Sequence, residues 1–219
     1  MATLNATLRA TSIPEHVTSS NAFIALSAIS SFLSICGSVA IIITYFLWRE
    51  IQSTSRKILV CISICDFITA SGNVMTILRP HLTRSDELCM GQSFVTTTST
   101  LCSFFWTSYL GLYLFLSFVR RHFRLAENLL LIFHITAWGI PISIVITALV
   151  KGKLGYSQDF LTGGWCWIDR GARNSLFWML ITGKAWEVGA YIIISVFFVV
   201  VKCHIKKEAS FFSLFSFLK

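Results

Sequence analysis

Charged residues are scarce in this sequence, and so are prolines. Asp, Glu, Lys and Arg make up 13% of the 219 residues, about half the share of an ordinary soluble domain, whereas hydrophobic residues make up 55%. Only three prolines occur, and no glycine- and serine-rich linker or low-complexity tract divides the chain. These absences argue against a soluble protein and against separate domains. They favour one membrane-embedded unit.

Short motifs of catalysis and nucleotide binding are also missing. The sequence has no H-E-x-x-H, no G-x-S-x-G and no P-loop, so we expect neither an enzyme nor a bound cofactor or metal. The net charge of +8 suits nucleic acid in general. Here the basic residues form short clusters beside apolar runs, which is typical of loops facing an anionic leaflet. We therefore expect membrane lipids as partners and no nucleic acid.

Five apolar runs are each long enough to cross a bilayer as a helix. The predicted fold class is an all-α membrane protein, a bundle of five transmembrane helices over residues 22–201. Residues 1–21 are predicted as a short extracellular N-terminus without a cleaved signal peptide, and residues 202–219 as a cytoplasmic tail or an aberrant end. The predicted spans are about 22–48, 58–78, 88–119, 128–150 and 175–201.

The third span has two possible starts. Residues 101–119 alone could cross the bilayer, but the tract Thr96-Thr97-Thr98-Ser99-Thr100 stands before them. Hydroxyl side chains facing lipid are costly, although they can bond back to their own helix. We expect a long third helix from about residue 88, with this tract turned toward the protein interior.

The orientation follows from the Lys and Arg residues. With the N-terminus outside, ten of them fall in inner segments and seven in outer segments, a weak majority for this arrangement. Asn5 begins an N-x-Thr sequon, which would be glycosylated on the outside. The predicted inner surface carries two basic clusters, expected to contact anionic lipid and, in a receptor, a G protein. They are Arg120, Arg121 and Arg124, and Lys202, Lys206 and Lys207.

Two of the seven cysteines lie in predicted outer segments. Cys89 precedes the third span, and Cys166 lies in the long loop between the fourth and fifth spans, within GGWCWIDR. Two cysteines in one oxidising compartment are a natural pair, so we predict a disulfide between them. The alternative is two unpaired thiols. Trp165 and Trp167, on either side of Cys166, either cover a ligand cavity or anchor the loop at the membrane interface.

Ionisable residues inside the spans are candidate functional residues, because burying them is costly. Lys184 and Glu187 are three residues apart in the fifth span and share a helix face. Lys184 would lie roughly 13 Å below the start of that helix. The pair either neutralises itself inside the bundle or lines a cavity and meets a polar ligand; the two are not exclusive.

Motifs at several places, in order along residues 22–207, match one class of receptors. They are ISICD at 62–66, GLYLFLS at 111–117, WGIP at 138–141, CWI at 166–168, WML at 178–180 and TGKAWE at 182–187. Together they resemble the G-protein-coupled receptors of the secretin, adhesion and cAMP-receptor-like superfamily, and most of all the orphan G-protein-coupled receptor 157 group.

The resemblance implies a multi-pass receptor of the plasma membrane, with an unknown extracellular ligand and a heterotrimeric G protein as partners. Pairing between receptor chains is a further open possibility. For Asp66 it implies either a sodium site or a hydrogen-bonded residue that braces the helices. The third helix departs from the rhodopsin-like pattern, since SFVRRH at 117–122 lacks Asp/Glu-Arg-Tyr.

The superfamily has seven helices, whereas five are predicted in this sequence. We therefore expect a fragment, a truncated splice form or a gene-model error of a signalling receptor. One alternative is a non-signalling five-helix partner of a full-length receptor. The other is a transporter that uses Asp66, Lys184 and Glu187, although transporters usually show repeated halves and none is visible here.

Overall fold

The computed structural model describes residues 2–48, 50, 52–78, 86–156, 166–169 and 171–217. Within these residues, five helical stretches are long and apolar enough to cross a membrane: Ile24–Leu47, Thr54–Ile77, Glu87–Val119, Arg124–Val150 and Ser175–Lys207. The predicted fold class, an all-α bundle of five transmembrane helices, is confirmed.

The helices and strands follow one another in a simple order. The first three helices are α1 (Ala2–Leu47), α2 (Thr54–Leu78) and α3 (Asp86–Leu114). The remaining elements are α4 (Phe123–Asn128), α5 (Leu130–Val150), β1 (Leu154–Tyr156), β2 (Cys166–Ile168), α6 (Ser175–Met179) and α7 (Ala185–Phe217). Two π-helical turns interrupt this order without breaking the helices: Phe115–Val119 continues α3, and Leu180–Lys184 joins α6 to α7.

Helix ends extend beyond the predicted spans at both chain ends. α1 begins at Ala2 rather than near residue 22, and α7 continues to Phe217 rather than ending near residue 201. Hydropathy predicts where a chain enters lipid, whereas a helix can continue into water wherever its backbone bonds are satisfied. The start of α3 at Asp86 agrees with the longer of the two predicted third helices.

α3 is the central helix of the bundle. It packs against α2, α5, α7 and both strands, while α1 packs against α2. One core cluster joins α2, α3 and α5 through Ile58, Cys65, Cys102, Trp106, Phe133 and Ala137. Trp106 is completely buried, and its ring lies edge-on to His134, with 4.6 Å between the ring centroids.

A second cluster lies at the other end of α3, where the strands are. β1 and β2 form an antiparallel pair in which Leu154 faces Ile168 and Tyr156 faces Cys166. Buried Leu154 and Ile168 pack with Leu101 of α3 and with Val145 and Ala148 of α5. This packing fixes the strands against the bundle. We call this end of the bundle the strand end.

Large apolar side chains cover much of the outer surface. α1 exposes Phe32 and Leu33, and α7 exposes Val188, Ile192 and Phe198. In water such surfaces would be aggregation-prone, but hydrocarbon solvates them well, and the helices satisfy their own backbone groups. The fold therefore suits a multi-pass membrane protein.

Candidate ligand cavity

A cavity of about 440 Å³ opens at the strand end, between α2, α3 and the π-turn that leads into α7. Its size lies within the range of small-molecule sites. Most of its lining residues are neutral and polar in type, although the surface they present to the cavity is mostly apolar. The lining residues are Thr69, Asn73, Thr76, Gln92, Thr96, Thr97, Thr100, Phe104, Cys166, Trp167, Thr182, Gly183, Lys184 and Glu187.

A disulfide attaches β2 to the head of α3, above this cavity. It joins Cys89 to Cys166 across 77 residues of sequence, with 5.2 Å between their Cα atoms, and both residues are buried. The predicted pairing is therefore present in the structure. Ser93, one turn along α3 from Cys89, donates a 2.7 Å hydrogen bond to the Trp167 carbonyl oxygen. Two bonds thus hold β2 in place, with Trp167 at the cavity.

One wall of the cavity consists of polar residues at helical spacing on α2 and α3. Thr69, Asn73 and Thr76 follow one face of α2, and Gln92, Thr96 and Thr100 follow one face of α3. Gln92 Nε2 donates to the Gly72 carbonyl oxygen at 2.8 Å and also to Thr76 Oγ1, joining the two helices. Thr97 is buried and lines the cavity, as expected for a tract turned toward the protein interior.

Most residues of this wall were missed by the sequence prediction. Gln92, Asn73 and Thr69 were not candidates, although the spacing of 92, 96 and 100 places three polar side chains on one helix face. That spacing was the available signal. It predicts a polar stripe but not the partner helix that it faces.

The π-turn Leu180–Lys184 forms the opposite wall. Single π-turns inside α-helices are frequent at functional sites. Lys184 Nζ and Glu187 Oε2 are 2.7 Å apart, and 60% of the Lys184 side chain and 29% of the Glu187 side chain are exposed. The two side chains form an ion pair and both line the cavity, and their contact with a polar ligand stays a prediction.

Two further contacts hold this turn. The Trp186 indole N–H donates a 2.7 Å hydrogen bond to the Ile181 carbonyl oxygen, five residues earlier. Thr182, which is buried, donates to the Trp178 carbonyl oxygen at 2.7 Å. The irregular backbone is thus supported by side chains of its own helix.

Asp66 lies one helical turn beyond Thr69, away from the strand end. Its Oδ1 accepts a 2.7 Å hydrogen bond from Ser103 Oγ of α3. Asp66 is not among the described residues that line the cavity, and its hydrogen-bond partner is separate from the Lys184–Glu187 pair. The described cavity is therefore lined by two of the three ionisable residues required by the transporter alternative.

The two basic clusters lie at the end of the bundle opposite the strands. There the rings of Phe115 and Phe197 stack with 5.5 Å between their centroids, which places the end of α3 beside α7. The cluster residues near these two points are exposed: Arg120, Arg121, Arg124, Lys202, Lys206 and Lys207. Lys202 Nζ lies 5.9 Å from the centroid of the Phe198 ring. One surface therefore carries both clusters.

Two candidate residues fall outside what the structure describes. Trp165 belongs to the segment 157–165, so its predicted place at the cavity is not addressed. Asn5 lies on the first turns of α1, and the placement of its side chain is likewise not described. Their predicted roles as a cavity residue and a glycosylation site remain predictions.

Comparison with known proteins gives one consistent picture. Residues 15–210 match the family described as "Slime mold cyclic AMP receptor". The chain is 36% identical over 185 residues to human "G-protein coupled receptor 157", covering 84% of this chain and 55% of that protein. It is 28% identical over 140 residues to "Cyclic AMP receptor-like protein A" of Dictyostelium discoideum, covering 64% of this chain and 35% of that protein. The resemblance found in the motifs is confirmed.

The solved structures agree at the level of fold. Squid rhodopsin superposes with a TM-score of 0.69 at 12% sequence identity, covering 90% of this chain and 56% of the rhodopsin chain. At this identity the likeness concerns the fold alone. The chain spans about half the length of the receptor 157 relatives that it matches. The family and the relatives matched here are receptors rather than enzymes.

Proposed function

This chain belongs to the slime mold cyclic AMP receptor family, and on that premise we propose that it acts in a G-protein-coupled receptor. A ligand from outside the cell enters the cavity at the strand end. The basic surface at the other end meets a heterotrimeric G protein and the anionic lipid around it. The ligand favours one arrangement of the bundle over another, and that difference is what the G protein detects.

The proposed orientation puts the N-terminus and the strands outside the cell. Disulfides persist on the oxidising side of a membrane, so the Cys89–Cys166 bond supports an extracellular strand end. Lys and Arg are enriched in cytoplasmic loops, so the clusters around Arg120 and Lys202 support a cytoplasmic opposite end. The Asn5 sequon agrees with this orientation.

The observation that carries the proposal is the covered cavity. Trp167 is held over the mouth by the disulfide and by Ser93, and the Lys184–Glu187 pair stands at its side. A membrane protein has little use for an open cavity of this size, walled in part by hydroxyl and charged side chains that are costly within the hydrocarbon, unless a molecule occupies it. In a receptor that occupant is the extracellular ligand.

The test measures proximity between the chain and G proteins in cells. The chain carries a luciferase at its C-terminus, and a panel of Gα classes is co-expressed with a fluorescent Gγ subunit. We expect energy transfer above that of an unrelated five-span membrane protein at equal surface expression, for at least one Gα class. The signal should fall when Arg120, Arg121 and Arg124 are replaced by Gln, because their charges are proposed to face the G protein.

A matched control places three Gln substitutions at Lys151, Lys153 and Arg173, near the strand end. These residues should leave the signal unchanged, because they lie on the proposed outer side. Energy transfer equal to that of the unrelated protein, for every Gα class, would contradict signalling by this chain. It would favour the alternative of a non-signalling partner, which co-precipitation with a full-length receptor then detects.

A further inference from the structure

The hydrogen-bonding capacity of the cavity wall points to the class of ligand, an inference that rests on the proposed function. Each lining side chain has a fixed number of donors and acceptors, and some are already used inside the protein. Of those that remain unused, the ones exposed at the cavity surface can meet the ligand. The balance of these remaining groups decides whether the site suits a ligand that donates hydrogen bonds or one that accepts them.

Both N–H donors of the Gln92 side chain are already used inside the protein. Its Nε2 donates to the Gly72 carbonyl oxygen and to Thr76 Oγ1, whose own hydrogen is donated to the same carbonyl at 3.2 Å. The nitrogen must occupy this position, because a carbonyl oxygen accepts hydrogen bonds and cannot donate one. Gln92 Oε1 is buried and has no partner among the described residues. Because almost none of its surface is accessible, a ligand in the cavity does not reach this oxygen, so Gln92 offers the ligand neither a donor nor an acceptor.

Several threonine hydroxyls of the cavity also donate their hydrogen inside the protein. Thr96 donates to the Gln92 carbonyl oxygen at 2.8 Å, Thr100 to the Thr96 carbonyl oxygen at 2.8 Å, and Thr182 to its own helix. The hydroxyls of Thr69 and Thr100 are 3.4 Å apart. Since Thr100 already donates elsewhere, Thr69 is the donor of that pair. Each of these oxygens keeps the capacity to accept.

The positive and negative charges of the cavity residues balance each other. Among the described lining residues, Lys184 is the one cation and Glu187 the one anion, and they form an ion pair with each other. A ligand with a net charge would leave one charge without a partner in a partly desolvated site, which is costly. Asn73, Thr97 and the remaining N–H groups of Lys184 supply the donors still present, against a larger set of acceptors.

We propose that the cavity takes an uncharged small molecule that donates hydrogen bonds through hydroxyl or amide N–H groups. Its donors meet the threonine oxygens, and its larger, apolar part lies against the apolar surface of the wall, which includes Phe104 and Trp167. Phosphates and carboxylates do not suit this wall. The cyclic AMP named for the matched family is an anion, so the described cavity differs from a phosphate site in its chemistry.

The experiment uses the purified chain in lipid nanodiscs and four probes. Three share one aryl scaffold: 2-naphthamide, its N,N-dimethyl analogue and 2-naphthoate; the fourth is cyclic AMP. Binding is measured by saturation-transfer NMR. We expect the primary amide to bind roughly three- to tenfold more tightly than the dimethyl amide, which has lost its N–H donors, and more tightly than either anion.

Variants connect this preference to the wall. Thr100→Val removes one lining hydroxyl oxygen and keeps the shape of the side chain, and folding is verified by thermal unfolding. Thr96→Val preserves the shape of the side chain and provides the second variant. Each should reduce amide binding toward the dimethyl amide level and leave the dimethyl amide unchanged. Thr107→Val is the control, because Thr107 also bonds to its own helix, to Ser103, but does not line the cavity.

The outcomes separate this inference from the proposed function, because no G protein is present in the measurement. Equal binding of the two amides, tighter binding of 2-naphthoate or cyclic AMP, or no binding by any probe overturns the donor-rich ligand. A G-protein signal can persist in each of those cases. Conversely, the expected amide preference without energy transfer to any Gα class overturns the receptor proposal alone.

Discussion

The indole ring of Trp167 lies against the backbone of Gly183, so strand β2 and the π-turn Leu180–Lys184 are in direct contact. A β-carbon added at Gly183 would lie 2.9 Å from Trp167 Cζ2, a distance that real side chains essentially never show. The glycine thus permits the strand to close over the cavity. Trp167 and Lys184, the residue that follows Gly183, both line the cavity.

Gly183→Ala should therefore displace the Trp167 ring from the cavity mouth. Overpacking of a fitted site costs roughly 1–3 kcal/mol, so we expect a lower midpoint of thermal unfolding in detergent. The control is Gly189→Ala on the same span, where an added β-carbon meets nothing within 4 Å and where alanine favours the helix. A midpoint for Gly183→Ala equal to that of Gly189→Ala would show that the ring adapts without cost.

The disulfide should contribute most of the stability of the strand end. Cys89→Ser or Cys166→Ser opens a loop closed over 77 residues, and losing such a crosslink typically costs about 2–5 kcal/mol. We expect reduced surface expression and loss of the mobility shift between reducing and non-reducing gels. Cys36→Ser, at an exposed position on α1, should leave both unchanged. If all three variants behave alike, the bond is dispensable for folding.

The indole of Trp186 should stabilise the π-turn. Trp186→Phe keeps an aromatic ring beside Phe105, whose centroid lies 4.9 Å away, but removes the N–H that the Ile181 carbonyl oxygen accepts. We expect a loss of about 1 kcal/mol in the free energy of unfolding. Trp178→Phe is the matched control, since its indole N–H has no hydrogen-bond partner among the described residues. A larger loss for Trp178→Phe would assign the effect to ring packing instead.

The five spans could be predicted from the sequence because hydropathy and length decide what crosses a bilayer. The pairing of Cys89 with Cys166 could be predicted because two cysteines shared one compartment. The cavity wall could not, because it depends on the register between α2 and α3. Gln92 reaches Gly72 and Thr76 only at one axial register of the two helices. The contact between the π-turn and β2 likewise depends on Trp167 and Gly183, which are close in space and distant in sequence.

The orientation is tested at Asn5. If the N-terminus is extracellular, the expressed chain should carry an N-linked glycan on Asn5, and digestion with an N-glycosidase should increase its gel mobility. Asn5→Gln should migrate at the digested position without treatment. Thr7→Ala removes the same sequon through its other residue and should match it. A chain whose mobility never changes, although it reaches the cell surface, would contradict the proposed orientation or the use of this sequon.

Variants of Asp66 test whether this residue stabilises the bundle by its hydrogen bond to Ser103 or by binding a sodium ion. Because Asp66 Oδ1 accepts from Ser103 Oγ at 2.7 Å, we expect Asp66→Asn and Ser103→Ala to be coupled, by about 0.5–3 kcal/mol in a double-mutant cycle on unfolding. Thr147→Val on α5, whose hydroxyl donates to the Ser143 carbonyl oxygen at 2.7 Å, is the control that should add independently. Unfolding is measured in sodium chloride and in choline chloride. If the cation identity leaves the wild-type midpoint unchanged, the side chain acts through Ser103. If sodium raises the wild-type midpoint but not that of Asp66→Asn, the carboxylate binds sodium and the bracing hypothesis is wrong.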